Sequence, residues 1–343
     1  MNTNMNSNIN NINFKTNKYE IIFIYEKELR ALLHNFKLKS YEYNGILYGD
    51  IVINSIISKY YKEKFLKNEN NINFWSTEID PNTSARTITS TNFDVYFKMF
   101  NDYIKFFNYI KTNNNYEIID SNSIDINNFI HNKYIIKINI GKTITWSGVE
   151  ILLNLNITSR LPNTNYIEPP FFHAEFTTNL LIMTKNSNGP RFSKNTGIID
   201  LDNMDTIDKN LLFAKIIKDI CNFKLYIISN NYISNNYIAA KSLEYIKNGW
   251  IIPNIPFKID KYNNLIDNNK SCNICLEDFS DNMYISKFKN NDGNDGCVLH
   301  TKCILDYIEN KLKNNEILVC PYRQPINFFE KSDNIINIII NDY

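Results

Sequence analysis

Cys272-Asn273-Ile274-Cys275, then Cys297-Val298-Leu299-His300-Thr301-Lys302-Cys303, then Cys320-Pro321-Tyr322-Arg323: these three short runs decide how the C-terminal part of the chain is read. Five of the six cysteines lie here, beside one of only four histidines. Thiolate and imidazole at two-residue spacings suit a tetrahedral Zn²⁺, because two intervening residues let the backbone turn until both side chains face one ion. A single such pair is a weak signal. Two pairs, Cys272/Cys275 and His300/Cys303, supply a complete set of four ligands. The sixth cysteine, Cys221, stands in an apolar, helix-like run and reads as a core residue.

The remaining composition narrows the classes open to the chain. Its 343 residues suffice for two or three domains with real cores. Net charge is +1, without a long basic or acidic block, so charge indicates neither a nucleic-acid surface nor a membrane surface. Apolar runs such as Ile21 to Tyr25 fall far short of the roughly 20 residues that span a bilayer. Met1 to Asn13 is rich in asparagine and lacks an apolar signal core. We therefore expect an intracellular, cytoplasmic protein with reduced thiols, in which clustered cysteines are metal ligands rather than disulfides. The excess of Asn, Ile, Lys, Tyr and Phe follows AT-rich codons and reads as genome composition.

Along the chain, 1–17 reads as disordered and 18–257 as one mixed α/β domain. Helices are expected over Glu26–Phe36, Ile51–Phe65, Phe100–Ile110, Asp208–Phe223 and Asn236–Asn248, the last ended by Gly249. Strands are expected at Ile46–Tyr48, Phe93–Phe97 and His173–Phe176, and as a pair at Tyr134–Ile140 and Val149–Ile157 joined through Gly141–Gly148. The polar stretch 258–270 reads as a linker, 271–328 as the cysteine module and 329–343 as a tail. His34, His131 and His173 show no ligand spacing and read as structural or surface residues.

The cysteine module resembles a RING finger. Cys272-Asn-Ile-Cys275-Leu-Glu-Asp-Phe279 is similar to the family's opening C-x-I-C-L-E-x-F, Gly296 to Ile304 to its central segment, and Cys320 to Ile326 to its closing C-P-x-C-R-x-P-I. The resemblance implies two zinc sites. Cys272, Cys275, His300 and Cys303 form a complete first site. Asp295, Cys297 and Cys320 form a degenerate second one, because the last cysteine is absent. Those three either hold a weak site or leave that lobe to packing. A rival register would make Cys297, His300 and Cys303 consecutive ligands and break both sites. The first register also sets Val298, Leu299 and Ile304 on the family's apolar positions. The resemblance further implies that Ile274, Tyr307 and Pro321 grip an E2 ubiquitin-conjugating enzyme and that Arg323 contacts ubiquitin.

A second resemblance runs from Tyr48 to Trp250. Tyr48-Gly49-Asp50-Ile51-Val52-Ile53, then Asn92-Phe93-Asp94-Val95, then Glu175-Phe176-Thr177-Thr178-Asn179-Leu180 resemble, in order, motifs of class II poly(A)-polymerase-type nucleotidyltransferases. Lys247-Asn248-Gly249-Trp250 is similar to K-x-G-W of related domains in large DNA viruses, which implies a viral protein working in a host cell. Activity in that family needs two carboxylates at i and i+2 of a strand to hold Mg²⁺. Here those positions are Asn92 and Asp94. Asp50 puts a negative charge where phosphate would approach, and Ile53 replaces an arginine. Gly49, Asp50, Asn92, Asp94 and Glu175 thus read as a vestigial nucleotide site. A simpler account of Asp94 and Glu175 is that of solvated or helix-capping carboxylates.

The expectation is an α/β (α+β) nucleotidyltransferase-like domain, inactive in the chemical sense just given, joined to a small zinc-bound RING-type domain. It would act as an E3 ubiquitin ligase, with the E2 on the module and a protein substrate on the larger domain. Two alternatives are a zinc-stapled adaptor without ligase activity and an active nucleotidyltransferase carrying an accessory RING.

Overall fold

The computed structural model describes residues 23–65, 87–89, 92–113, 116–126, 129–140, 149–160, 168–169, 174–194, 201, 203–228, 234–263, 271–281, 283–289, 295–321 and 325–328. The segments 1–17 and 329–343, the turn expected at 141–148, His173, Arg323 and most of the expected linker lie outside them. The chain is mixed α/β and divides into two compact units. One runs to Ala174 and resumes from Thr178 to Cys221. The other takes Glu175–Thr177 and the chain from Asn222 onward.

The N-terminal unit is built on a mixed sheet. Its elements are α1 (Phe23–Glu42), β1 (Gly45–Tyr48), α2 (Asp50–Phe65), β2 (Thr87–Thr89), β3 (Phe93–Phe97), α3 (Phe100–Thr112), β4 (Tyr116–Ile126), β5 (Phe129–Ile140) and β6 (Val149–Arg160). Sheet order is β1-β3-β6-β5-β4, with β2 also beside β6. β3 and β6 run parallel, and β1–β3, β6–β5 and β5–β4 are antiparallel. Alternation fixes what each face carries. Phe93, Val95 and Phe97 of β3 share a buried face with Leu153, Leu155 and Ile157 of β6 and with Tyr134 and Ile136 of β5. Tyr103, Phe106 and Ile110 recur at helical spacing along α3 and are buried. Phe106 meets Phe97 at 5.1 Å between ring centroids, and Phe36 of α1 meets Phe93 at 5.7 Å. The opposite face carries Asp94, Asn156 and Thr158. The unit is completed by β7 (Leu181–Ile182), which pairs with β8 (Arg191–Phe192), and by α4 (Thr206–Cys221).

The C-terminal unit contains α5 (Asn235–Lys247), β9 (Phe257–Lys261), β10 (Tyr284–Lys289), β11 (Asp295–His300) and α6 (Thr301–Lys313). Its sheet has the order β11-β10-β9, antiparallel throughout. α5 packs against α6. Gly249 follows α5 with φ +83°, the left-handed conformation that ends a helix.

Two expectations need correction. The 258–270 segment does not begin as a linker. Phe257 to Lys261 pair residue by residue with Phe288 to Tyr284, and Phe257 is buried against Phe288 at 5.3 Å. Phe257 and Ile259 share the inner face of this edge strand, and Lys258 and Asp260 pair at 2.7 Å on the other. The His173–Phe176 strand is absent among its described residues: Phe176 makes one isolated bridge, to Ile227, and a 3₁₀ turn follows over Thr177–Leu180. The long β4 carries no strand signal in the sequence, because its residues 116–123 are half or fully exposed and show no apolar alternation.

Phe106 is fully buried between α3 and the sheet. Phe106→Ala is expected to destabilise the N-terminal unit by about 3–5 kcal/mol, the usual cost of an aromatic-sized cavity. Urea unfolding followed by far-UV circular dichroism measures it.

Candidate metal centre

The first two ligand positions sit on a tight hairpin. Ser271 bridges Asp278, Cys272 N donates to Glu277 O at 2.9 Å, and Leu276 N donates to Cys272 O at 2.8 Å. Leu276 takes φ +61°, a left-handed residue that lets the chain reverse straight after Cys275. The other two positions come from the junction of β11 and α6. His300 ends the strand and is the N-cap of the helix, and Cys303 lies in the first helical turn. A strand running directly into a helix places the residues at 300 and 303 on one side.

These four side chains converge. The ligand atoms of Cys272, Cys275, His300 and Cys303 all lie within 4.8 Å of one another. Cys275 Sγ is 3.2 Å from His300 Nδ1, and Cys303 Sγ is 3.9 Å from it. Tetrahedral coordination at metal–ligand distances of about 2.0–2.3 Å puts donor atoms roughly 3.5–4 Å apart, so the group could hold a metal ion. No other group of three or more candidate ligands occurs among the described residues.

The surroundings favour thiolate where it matters. Burial opposes ionisation of Cys272. The backbone N–H groups of Cys275, His300 and Ile274 outweigh it and hold the thiol below its ordinary value. The His300 N–H reaches its sulfur at 3.4 Å. Cys303 behaves oppositely: burial, with the neighbouring Cys272 and Cys275, pushes it up to about 12. Burial also lowers His300 against the opposing pull of Glu277 and the Asp278 backbone, which keeps the imidazole neutral and able to ligate. Phe279, buried, meets the His300 ring edge-on at 4.9 Å and fixes its plane.

The degenerate second set is placed differently. Cys297 and Cys320 are buried free thiols. Burial pushes Cys297 up to about 12, with Cys320 and Cys272 adding to the shift. Asp295 opens β11 opposite Lys289. Its side chain lies outside the described residues. Val298, Leu299 and Ile304 are buried. Ile274 is exposed in the Cys272–Cys275 turn, Pro321 is half-buried beside Cys320, and Tyr307 is half-buried on α6 with Lys311 Nζ 5.6 Å from its ring centroid.

In the N-terminal unit, four of the five residues of the second motif series come together. Gly49 (φ +65°) joins β1 to α2, where Asp50 is the first residue, and Tyr48 lies opposite Asp94 in the β1–β3 ladder. A Cβ on Gly49 would stand 2.6 Å from Asp94 Oδ2, so no other residue fits without displacing that carboxylate. Asn92 Nδ2 donates to Asp50 Oδ2 at 3.1 Å, and Asn156 Nδ2 donates to Asp94 Oδ1 at 2.6 Å. Asn156 lies outside the sequence motifs. Its only sequence signal is its place two residues from a buried strand position. Glu175 belongs to the other unit. Compared with known families, characterised proteins and solved structures, the chain returns no match.

Metal capture must displace the Cys303 proton. Affinity is therefore expected to rise with pH by at least about ten-fold per unit between pH 6 and 8, the slope for one proton released. Competition with a chromogenic chelator measures it. Cys275→Ser or His300→Ala should weaken binding by more than about 100-fold, beyond the loss typical of outer-shell changes. Cys320→Ser should do less. Elemental analysis is expected to give about one tightly held ion per chain.

Proposed function

We propose that the chain is a zinc-binding, RING-type E3 ubiquitin ligase of a reducing, intracellular compartment. The supporting observation is that the four ligand positions assigned from the RING resemblance meet at one point, on a hairpin, a strand end and a helix start. Three thiolates and one imidazole suit Zn²⁺ among divalent ions. Ile274 in the metal-bearing turn projects an apolar side chain into solvent, as do Leu276 and Ile317 of the same unit. Exposed apolar side chains on a small polar module are what a partner enzyme could grip.

The module would do no covalent chemistry. It would hold the E2 so that the thioester carbonyl faces a substrate lysine. The amine attacks, the C–S bond breaks, an isopeptide bond forms and the E2 cysteine leaves as thiol. The gain comes from orientation. The N-terminal unit, read as a nucleotidyltransferase-like fold that has lost its metal chemistry, would bind the protein substrate. Asp50 and Asp94, each accepting a hydrogen bond from a side-chain amide, support that loss. The adaptor without ligase activity has its own support: Cys297 and Cys320 belong to no complete ligand group among the described residues.

Purified protein with ubiquitin, an activating enzyme and a panel of E2 enzymes is expected to build ubiquitin chains. Ile274→Ala should keep the metal and reduce chain formation by at least about ten-fold, since central interface anchors carry much of the binding energy. Chains from no E2, with no shift perturbation on E2 titration, would favour the adaptor.

The same preparation, given labelled ATP or CTP with Mg²⁺ or Mn²⁺ and an RNA or protein acceptor, is expected to transfer no label. Metal-dependent transfer that is lost on Asp94→Ala would overturn the inactive reading of the N-terminal unit.

A further inference from the structure

Asn235 opens α5 but does not cap it. Ser234 does so: with extended dihedrals, its Oγ accepts from Tyr237 N at 3.2 Å. The Asn235 amide turns instead to the closing segment of the metal-bearing unit. Its Nδ2 donates to Ile326 O at 2.9 Å, and its Oδ1 accepts from Phe328 N at 2.7 Å. One side chain thus satisfies a backbone acceptor and a backbone donor, as a neighbouring strand would. Ile326 and Phe328 are both 1% exposed, so water cannot readily take over either bond.

The clamped segment is one arm of a hairpin. Ile326 N donates to Leu318 O at 2.9 Å, and Val319 bridges Pro325. Cys320 and Pro321 lie on that hairpin. Two further contacts tie the same helix and strand to the unit. Lys247 Nζ, at the far end of α5, pairs with Glu309 of α6 at 2.8 Å, and Phe257 of β9 meets Phe328 edge-on at 6.5 Å. Cys320 itself is in no complete ligand group among the described residues.

We infer that Asn235 is a positioning residue: its amide sets the place of the hairpin that carries Cys320 and Pro321. α5 is then a working part of the metal-bearing unit. The consequence for activity, presentation of Pro321 to an E2, rests on the ligase reading above; the positioning itself does not.

The test uses the full, metal-loaded chain as wild type, Asn235→Ala and Asn235→Asp. The aspartate keeps the acceptor for Phe328 N–H and loses the donor to Ile326 C=O, and it stands in if the alanine variant does not fold. Metal content is expected to stay at the wild-type value. Amide hydrogen exchange over 318–328 should quicken by at least about ten-fold in both variants: the alanine loses two buried hydrogen bonds, and the aspartate sets an acceptor against the Ile326 carbonyl. Amides over 272–279 should not change. In the ubiquitin-chain assay, the E2 concentration for half-maximal rate should rise about five-fold with the saturating rate unchanged, since only part of the population then presents the hairpin correctly. Wild-type exchange over 318–328 would overturn the inference. So would metal loss with equal loosening of 272–279, which marks a general stabiliser. Quickened exchange over 318–328 in a protein that builds no chains would uphold the positioning and refute the ligase reading.

Discussion

Between Cys275 and His300 the chain lays down the strand β10 and turns back into β11, yet the two side chains finish 3.2 Å apart. The C-terminal unit depends on that closure. Bringing the Cys272–Cys275 hairpin onto the β11–α6 junction carries a loop-closure cost in entropy. The hairpin has little apolar surface with which to offset it, since residues 273–278 are all exposed. Four ligands on one bound ion would supply what burial does not. Phe279 packs edge-on against His300, and the N–H groups around Cys272 hold its thiol below the ordinary value. With an ion bound, the site and the small core would form in one folding event.

The N-terminal unit is organised by a different constraint. Its sheet buries one face under α1 and α3 and leaves polar groups on the other. On that second face each carboxylate meets an amide, Asp50 with Asn92 and Asp94 with Asn156. An amide stabilises one carboxylate by hydrogen bonding but adds no negative charge, so the pair is self-sufficient where two carboxylates would call for a cation. Tyr48 and Thr158 share a hydrogen bond of 3.1 Å on the same face, and burial, with the Asp94 charge, raises the Tyr48 phenol.

How much of this the sequence disclosed varies with the physics of each element. Phe93–Phe97 was legible to the residue because alternation and β-propensity agree there. The helices at α3, α4 and α5 were legible from period and from stop signals such as Gly249. The convergence of Cys272, Cys275, His300 and Cys303 was legible because coordination constrains spacing. β9 was hidden by its lysines, which an edge strand tolerates on its exposed side. The allegiance of α5 was hidden because its decisive group, Asn235, is one asparagine in a chain crowded with them. Nothing in residue type distinguishes an amide that clamps a backbone from one that faces water. Asn156 was hidden likewise, since its partner Asp94 comes from a strand far away in sequence.

The central claim is that three sulfurs and one imidazole nitrogen, from Cys272, Cys275, Cys303 and His300, surround a single zinc ion. Zinc K-edge X-ray absorption on the purified full-length protein tests it directly. The account predicts a four-coordinate first shell of three sulfurs at about 2.3 Å and one nitrogen at about 2.0–2.1 Å, with imidazole outer-shell scattering that disappears in His300→Ala. A shell dominated by oxygen and nitrogen, or sulfur scattering that persists unchanged in Cys272→Ser and Cys303→Ser, would contradict it.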